Sequence, residues 1–419
     1  MKNESFTRRR FVSAAAMTAG ALLIKPQLIR GTQANSVLRI GLLGCGGRGT
    51  SVARAFILNK NCRIVALADL FDDRLQMAKT LWDGIAKTNG YAGIDPKLMF
   101  KGPDAFRQIA ESSQCDIIII SSPDYFHLQH LEAVIDAGKH VYCEKPAAVD
   151  VEGCRKFIDA GKRATGRLSL EVGFQVRHAP CFNEIVKRIH NGDIGNVSFG
   201  AIHYHASSIG YPDYPSASPL ERRIRQFYWD RVLSGDTILD QNIHVIDIAN
   251  WVMKAHPVKA VGAGGRKVRK DAGDVWDNWT VSFTYPGDVN VNFSAVQFGG
   301  FWDVGVRFIG DQGVGESNYT GLGRITGKMA WSTEDAKKAG DFSTSGNFNG
   351  LGNADELKTG LFIESILSGN YHNQSLEGAE SALSAILGRM AAYSGEEITW
   401  SEMLGSNQSY QGEIDLSKL

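Results

Sequence analysis

The sequence predicts an α/β chain of two domains, the first built on a parallel sheet and the second on an antiparallel or mixed sheet. Three observations carry this. Between residues 37 and 143, short runs apolar on both faces alternate with stretches of helical spacing, as in a parallel sheet covered by helices. From about Ile194 the pattern turns to strict alternation, which gives strands one packed and one solvated face. The length, 419 residues, exceeds what one ordinary core supports.

The first 35 residues read as an export address. Thr7-Arg8-Arg9-Arg10-Phe11-Val12 has the twin-arginine pattern, and Ser13 to Ile24 is apolar but too short to span a bilayer. Thr32-Gln33-Ala34 offers small residues for a signal peptidase, so a folded protein with its mature start near Asn35 is expected in the periplasm. The remaining chain divides into a domain at 36–150 and a second at 151–419.

In the first domain, Val37 to Leu43 is a strand ending in Gly44-Cys45-Gly46-Gly47-Arg48-Gly49, followed by helical SVARAFIL. Further strands are expected at Arg63 to Leu70, Asp116 to Ser121 and Lys139 to Cys143, the last running into Glu144-Lys145-Pro146. Helices fit Asp73 to Ala86, Asp104 to Glu111 and Tyr125 to Ala137, the last ended by Gly138. In the second domain, VSFGAIHYHA and the Pro-Gly-Asp hairpin inside WTVSFTYPGDVNVNFSAVQF are strands, as are Val304 to Ile309 and Gly323 to Trp331. Residues 334–353 read as a loop, and Glu377 to Tyr393 as an amphipathic helix able to pack on either domain.

Composition narrows the function classes. Lys+Arg and Asp+Glu balance at 45 each, so no global field points to nucleic acid or an anionic membrane, and no transmembrane span is present. A small molecule is the expected partner. The six cysteines form no C-x-x-C pair and no zinc spacing; they read as buried hydrophobes without disulfides. No metal site is predicted.

Gly44, Gly46 and Gly49 form a G-x-G-x-x-G string in the context it requires, after a strand and opening a helix. The first glycine permits the tight turn, the second lets backbone approach a pyrophosphate, and the third allows close helix packing. Gly47 and Arg48 belong to the same loop. Asp69, ending the second strand, is placed to accept from the adenosine ribose hydroxyls and to repel a 2′-phosphate. A Rossmann domain binding NAD, with NADP as the alternative, follows.

The glycine loop, Ser122-Pro123-Asp124-Tyr125-Phe126-His127, the run from Ala137 to Glu144-Lys145-Pro146, and Asp240 with His244 together resemble the glucose-fructose oxidoreductase / inositol dehydrogenase (Gfo/Idh/MocA) family. The resemblance implies an α+β second domain with an open, predominantly antiparallel sheet, and a dimer or tetramer. It makes Lys145 the catalytic lysine and Asp240 and His244 the pair around a reacting sugar hydroxyl. Desolvation near a cofactor lowers a lysine's pKa toward that exchange, and a histidine can act as base or donor. Ser122, Pro123 and His127 are expected on the nicotinamide side, with Glu144 orienting the cofactor or Lys145. Asp236 begins a helix on which 240, 244, 247 and 251 share a face. Asp236 and Asn242 depart from the family's glycines, which bears on the substrate subgroup, and Asp247 is expected to hold a neighbouring group.

His203 and His205 share a strand face and either meet the sugar or serve the fold; a metal set of these two with Asp240 lacks ligand spacing. Arg177, Tyr228 and Trp229 are candidates for the pocket wall, with core packing the equal alternative. The expected function is oxidation of a sugar or glycoside hydroxyl by a tightly held NAD, since an exported protein has no nucleotide pool to draw on. The alternatives are a redox-neutral glycosidase, which oxidises, eliminates and rereduces, and a non-catalytic cofactor-holding binding protein.

Overall fold

The computed structural model describes residues 37–59, 61–270, 273–333 and 351–419. The export signal and most of the loop expected at 334–353 lie outside the described residues.

Six strands, β1 (Leu38–Leu43), β2 (Cys62–Asp69), β3 (Met99–Lys101), β4 (Ile117–Ile120), β5 (His140–Cys143) and β6 (Leu170–Val172), form one sheet in the order β3-β2-β1-β4-β5-β6. All its pairings are parallel. The covering helices are α1 (Gly47–Leu58), α2 (Asp72–Thr88), α3 (Ala105–Glu111), α4 (His127–Asp136) and α5 (Val151–Ala164). The four isoleucines of β4 are wholly buried, as a strand sandwiched between helices requires. The strand order reverses between β1 and β4, and a doubly wound sheet binds its ligand outside that switch point.

The first sheet extends beyond the boundary expected at residue 150. Asp150 caps α5 by accepting from the Gly153 amide, and β6 pairs with β5 through Leu170, Glu171 and Val172. A three-residue strand with a central glutamate leaves too little apolar pattern to register locally.

The second sheet contains β7 (Val197–Ala206), β8 (Lys259–Gly265), β9 (Asn278–Tyr285), β10 (Val289–Gln297), β11 (Asp303–Gly310), β12 (Gly313–Asn318), β13 (Gly323–Gly327), β14 (Trp331–Ser332) and β15 (Ile398–Thr399). Their order is β14-β13-β12-β11-β7-β10-β9-β8-β15, antiparallel throughout except for β7 beside β10. The β9–β10 hairpin turns at Gly287 and Asp288, both at positive φ. Ile202, Tyr204, Phe283, Phe293 and Phe308 are buried, while His203 and His205 on the other face of β7 keep solvent contact.

The remaining helices are α6 (Pro180–His190), α7 (Pro219–Arg225), α8 (Arg231–Ser234), α9 (Thr237–Asp240), α10 (Ile243–Met253), α11 (Ala354–Ser368), which packs on α1 of the first domain, α12 (Ser375–Ser394) and α13 (Trp400–Gly405). The long helix α12 packs on β8 and β9 of the second sheet and on α5 of the first, so it joins both domains. Among the described residues, no helix is long and apolar enough to cross a membrane. All six cysteines are buried and none is paired with another.

The single helix expected from Asp236 is broken into α9 and α10 at Gln241-Asn242. Asp236 itself sits at φ 77°, ψ 164°, a region that essentially only glycine enters without strain. Its carboxylate offsets that cost by accepting from the Thr237 and Trp276 amides and the Tyr393 hydroxyl.

Candidate active site

The β1–α1 loop is shaped by steric necessity. A Cβ at Gly44, where φ is 95°, would lie 2.4 Å from the Ser121 carbonyl oxygen, and one at Gly49 would lie 2.1 Å from that of Gly44. At Gly46 and Gly47 a Cβ would meet nothing within 4 Å. These two residues therefore leave space at the mouth of α1, whose first turn has no acidic residue and whose N-cap makes no side-chain hydrogen bond. Open backbone amides at a helix start suit a pyrophosphate.

A cleft extends from there, lined by Gly46, Gly47, Asp69, Arg74, Ser122 and Pro123. Asp69 accepts from the amides of Cys45 (2.7 Å) and Phe71 (3.0 Å), so it braces the glycine loop as well as facing the cleft. Burial raises its pKa, against those hydrogen bonds. Arg74 also faces the cleft, and its guanidinium donates to the Tyr214 hydroxyl at 3.3 Å.

The chemistry-bearing cluster begins where the cleft's Pro123 is followed by Asp124. Lys145 Nζ donates to the Asp240 carbonyl at 2.5 Å and stands 3.4 Å from Asp240 Oδ1. Gln241 Nε2 donates to Asp240 Oδ2 at 3.2 Å, and the Tyr204 hydroxyl donates to Gln241 Oε1 at 3.3 Å. Four buried polar atoms or groups here have no hydrogen-bond partner among the described residues: Asp124 Oδ2, the Asn242 amide, His244 Nδ1 and the Tyr228 hydroxyl. A ligand rich in hydroxyls would satisfy them.

Electrostatics divides the roles. Burial pulls the Lys145 pKa down, but Asp240, Asp124 and Glu144 outweigh it and hold the pKa above the ordinary lysine value. The lowered pKa expected for this lysine is thus reversed, because three carboxyl groups converge on it. His244 is pushed well below its usual value, first by burial and then by Lys145, Arg48 and Lys358. The site pairs an ammonium with a neutral imidazole. Asp124 is only 4% exposed, and burial followed by the charge of its neighbour Asp240 raises its pKa well above the carboxylate range.

Several sequence expectations are redirected. Arg48 turns from the cleft to Glu144 (2.9 Å) and to both oxygens of Asp355 on α11 (2.8 and 3.1 Å). Glu144 accepts from Arg48 and from the Tyr142 hydroxyl (2.8 Å), so it anchors the glycine-loop arginine and adds its charge beside Lys145. The His127 ring is buried between the Pro146 and Ser122 carbonyls, at 2.7 and 2.9 Å, and so acts on the backbone carrying Lys145 and Ser122. The Lys145-Pro146 peptide is cis. Arg177 forms a bidentate pair with the fully buried Asp247, so Asp247 holds a neighbouring side chain, and the Arg177 guanidinium lies over the Phe174 ring that packs edge-on against His244. His203 contacts Asp303 at 2.8 Å and His205 contacts Ser294 at 3.0 Å, on the sheet face opposite Tyr204. Both histidine rings are thus held by groups other than Asp240. Trp229 is buried under Arg269 with its indole on the Gly210 carbonyl. Sequence reasoning missed Tyr204, Gln241 and the role of Asp124, and it missed Ile224, Arg225, Phe227 and Leu416, which line the cleft from the second domain.

Comparison with known proteins agrees with this architecture. Residues 38–172 match the sequence model of the oxidoreductase family with the NAD-binding Rossmann fold, and residues 182–315 match that of the GFO/IDH/MocA C-terminal domain. The chain belongs to the Gfo/Idh/MocA family. Its Rossmann domain is of the NAD-binding type, and the first match ends at Val172, where the parallel sheet ends. Among Gfo/Idh/MocA relatives, inositol 2-dehydrogenase of Rhizobium meliloti (strain 1021) is 30% identical over 58% of this chain and 64% of its own length. Inositol 2-dehydrogenase of Klebsiella pneumoniae (strain 342) is 26% identical over 52% of this chain and 54% of its own length. The matches thus span less than two thirds of either relative. Aldose-aldose oxidoreductase from Caulobacter crescentus, solved with glycerol, shares the fold with a TM-score of 0.67 at 21% identity, covering 87% of this chain and 99% of that one. Levoglucosan dehydrogenase, solved with NADH and levoglucosan, gives 0.68 at 18% identity over the same shares.

Proposed function

We propose that this Gfo/Idh/MocA protein oxidises a secondary hydroxyl of a sugar, cyclic polyol or glycoside, using a tightly held NAD and, after twin-arginine export, acting in the periplasm. The observation that carries the reading is the ammonium of Lys145 beside Asp240 and a neutral His244 with an unpartnered Nδ1. Gly46, Gly47 and Asp69 would hold the nucleotide, which when bound supplies the hydride acceptor. His244 Nδ1 takes the hydroxyl proton as the C–H hydride leaves and the C=O bond forms. Lys145 donates to the same oxygen as charge builds on it, and Asp240 keeps the ammonium in place. The Tyr228 hydroxyl and the Asn242 amide bind the remaining hydroxyls. The names of the relatives support this substrate class.

The test is product analysis with purified protein and a panel of sugars, inositols and glycosides in D₂O, without added nucleotide. A ketone product with any glycosidic bond intact, limited by the nucleotide the protein carries, is the expected result. Release of free sugar deuterated at C2 but not at C3 would replace this reading with the redox-neutral glycosidase, in which C3 oxidation acidifies the C2 proton. Neither product, with NAD still bound, would leave a nucleotide-holding protein without catalysis.

A further inference from the structure

The nucleotide cleft is not walled by the Rossmann domain alone. Helix α7 starts at Pro219, with Ser218 Oγ accepting from the Glu221 amide, and ends at Arg225, so a short rigid element presents that arginine toward the first domain. Arg225 Nη1 and Nη2 donate to the two oxygens of Asp73 at the start of α2, at 3.0 and 2.7 Å, and its Nε donates to Glu221 at 2.8 Å. Its guanidinium lies 3.8 Å from the centroid of the Phe71 ring and 5.3 Å from that of Tyr214. Tyr214 in turn accepts from Arg74 of α2. The arginine side chain is 9% exposed, while its partner Asp73 is half exposed. Ile224, Phe227 and the C-terminal Leu416 stand beside it along the same cleft as Gly46 and Asp69.

Each guanidinium nitrogen thus donates to a carboxylate, three of the five N–H donors being used this way. Arg225 is a cross-domain fastener at the Asp69 end of the cleft, where a Rossmann domain places the adenosine. An arginine held by a bidentate carboxylate, stacked on an aromatic ring and largely removed from water, is the kind of contact whose truncation is costly. Resting on the reading of this cleft as the NAD site, we propose that Arg225, with Asp73 and Phe71, forms a clasp that retains the nucleotide as a resident group, Ile224, Phe227 and Leu416 serving as its apolar roof. Release then requires the clasp to open.

The experiment uses the full chain, loaded with NAD, passed into buffer containing an NAD-destroying hydrolase, with bound nucleotide measured after denaturation over time. Arg225→Ala should lose nucleotide about ten- to thirtyfold faster than the parent, the scale of truncating a well-packed arginine anchor. Asp73→Ala should do the same, and the double variant should be no faster than either alone, because both break one fastener. Arg225→Lys, which loses the bidentate pair but keeps a cation, should fall between. Thermal unfolding at saturating NAD shows which variants are folded. Release from folded Arg225→Ala and Asp73→Ala within twofold of the parent would overturn the clasp and leave the cleft's identity intact. A parent that neither carries nor binds NAD would overturn the cofactor reading itself.

Discussion

Replacing Lys145 with methionine separates the electrostatic roles in the site. Methionine keeps most of the aliphatic stem and removes the ammonium, which donates to the Asp240 carbonyl and faces Asp240, Asp124 and Glu144. Losing a positioned donor at the oxygen that becomes negative should cost about 10²- to 10⁴-fold in kcat, or about 3 to 5 kcal/mol of transition-state stabilisation. A second consequence has a fixed sign. The His244 pKa is depressed first by burial and next by the Lys145 charge. Removing that charge raises the pKa, and since the neutral imidazole is the base, the acid limb of kcat/KM must move to higher pH. The assay follows nicotinamide reduction against pH for parent and variant, with nucleotide content measured in each. A variant near parental kcat, or one whose acid limb stays in place or moves to lower pH, would refute the assignment of ammonium to Lys145 and base to His244.

Asp124→Asn tests the buried carboxyl beside Asp240: asparagine mimics the protonated acid, so turnover near neutral pH should stay within an order of magnitude while any alkaline decline caused by ionising Asp124 disappears. A large loss at every pH would show that the ionised form is required. Asp236, raised to about 6 by burial against its hydrogen bonds from Tyr393, Thr237 and Trp276, tests stability. Its folded pKa exceeds the unfolded value, so the stability it contributes is present below about pH 4 and is lost as pH rises through about 6, a change of roughly 3 kcal/mol. Denaturant midpoints of Asp236→Asn should show this component removed between those limits, and a parental slope there would refute it.

The parts of the molecule that were legible in the sequence are those fixed by local stereochemistry. Gly44 and Gly49 are forced by backbone atoms within the turn or across the neighbouring strand, and the run of isoleucines in β4 has no place except between two helical layers. The residues that were misread depend on groups far along the chain. Alternation in β7 fixes two faces but not which one meets the site; the phase that buries Ile202, Tyr204 and Ala206 turns His203 and His205 to the other side. Arg177 and Asp247 are 70 residues apart, and Arg225 and Asp73 are 152 apart. No local pattern shows that these arginines are already spent on carboxylates. The same holds for Lys145, whose charge is decided by Asp124 after β4, Glu144 after β5 and Asp240 on α9 acting together against burial.

Asp236 joins the two kinds of evidence. The sequence marks it as a departure from a glycine cluster, and the structure shows the reason a glycine suits the position: φ is 77° with an extended ψ. A non-glycine residue there costs about 1 to 3 kcal/mol and persists only when its surroundings hold it. Here the holding groups are the Trp276 amide on the segment leading into β9 and the Tyr393 hydroxyl on α12, while the Thr237 amide that it also caps starts α9. The turn that aims α9 therefore sets the Asp240 carbonyl on Lys145 through contacts to both the second sheet and the helix that joins the domains. Substitution at this position should accordingly change how firmly Asp240, and with it the Lys145 side chain, is held.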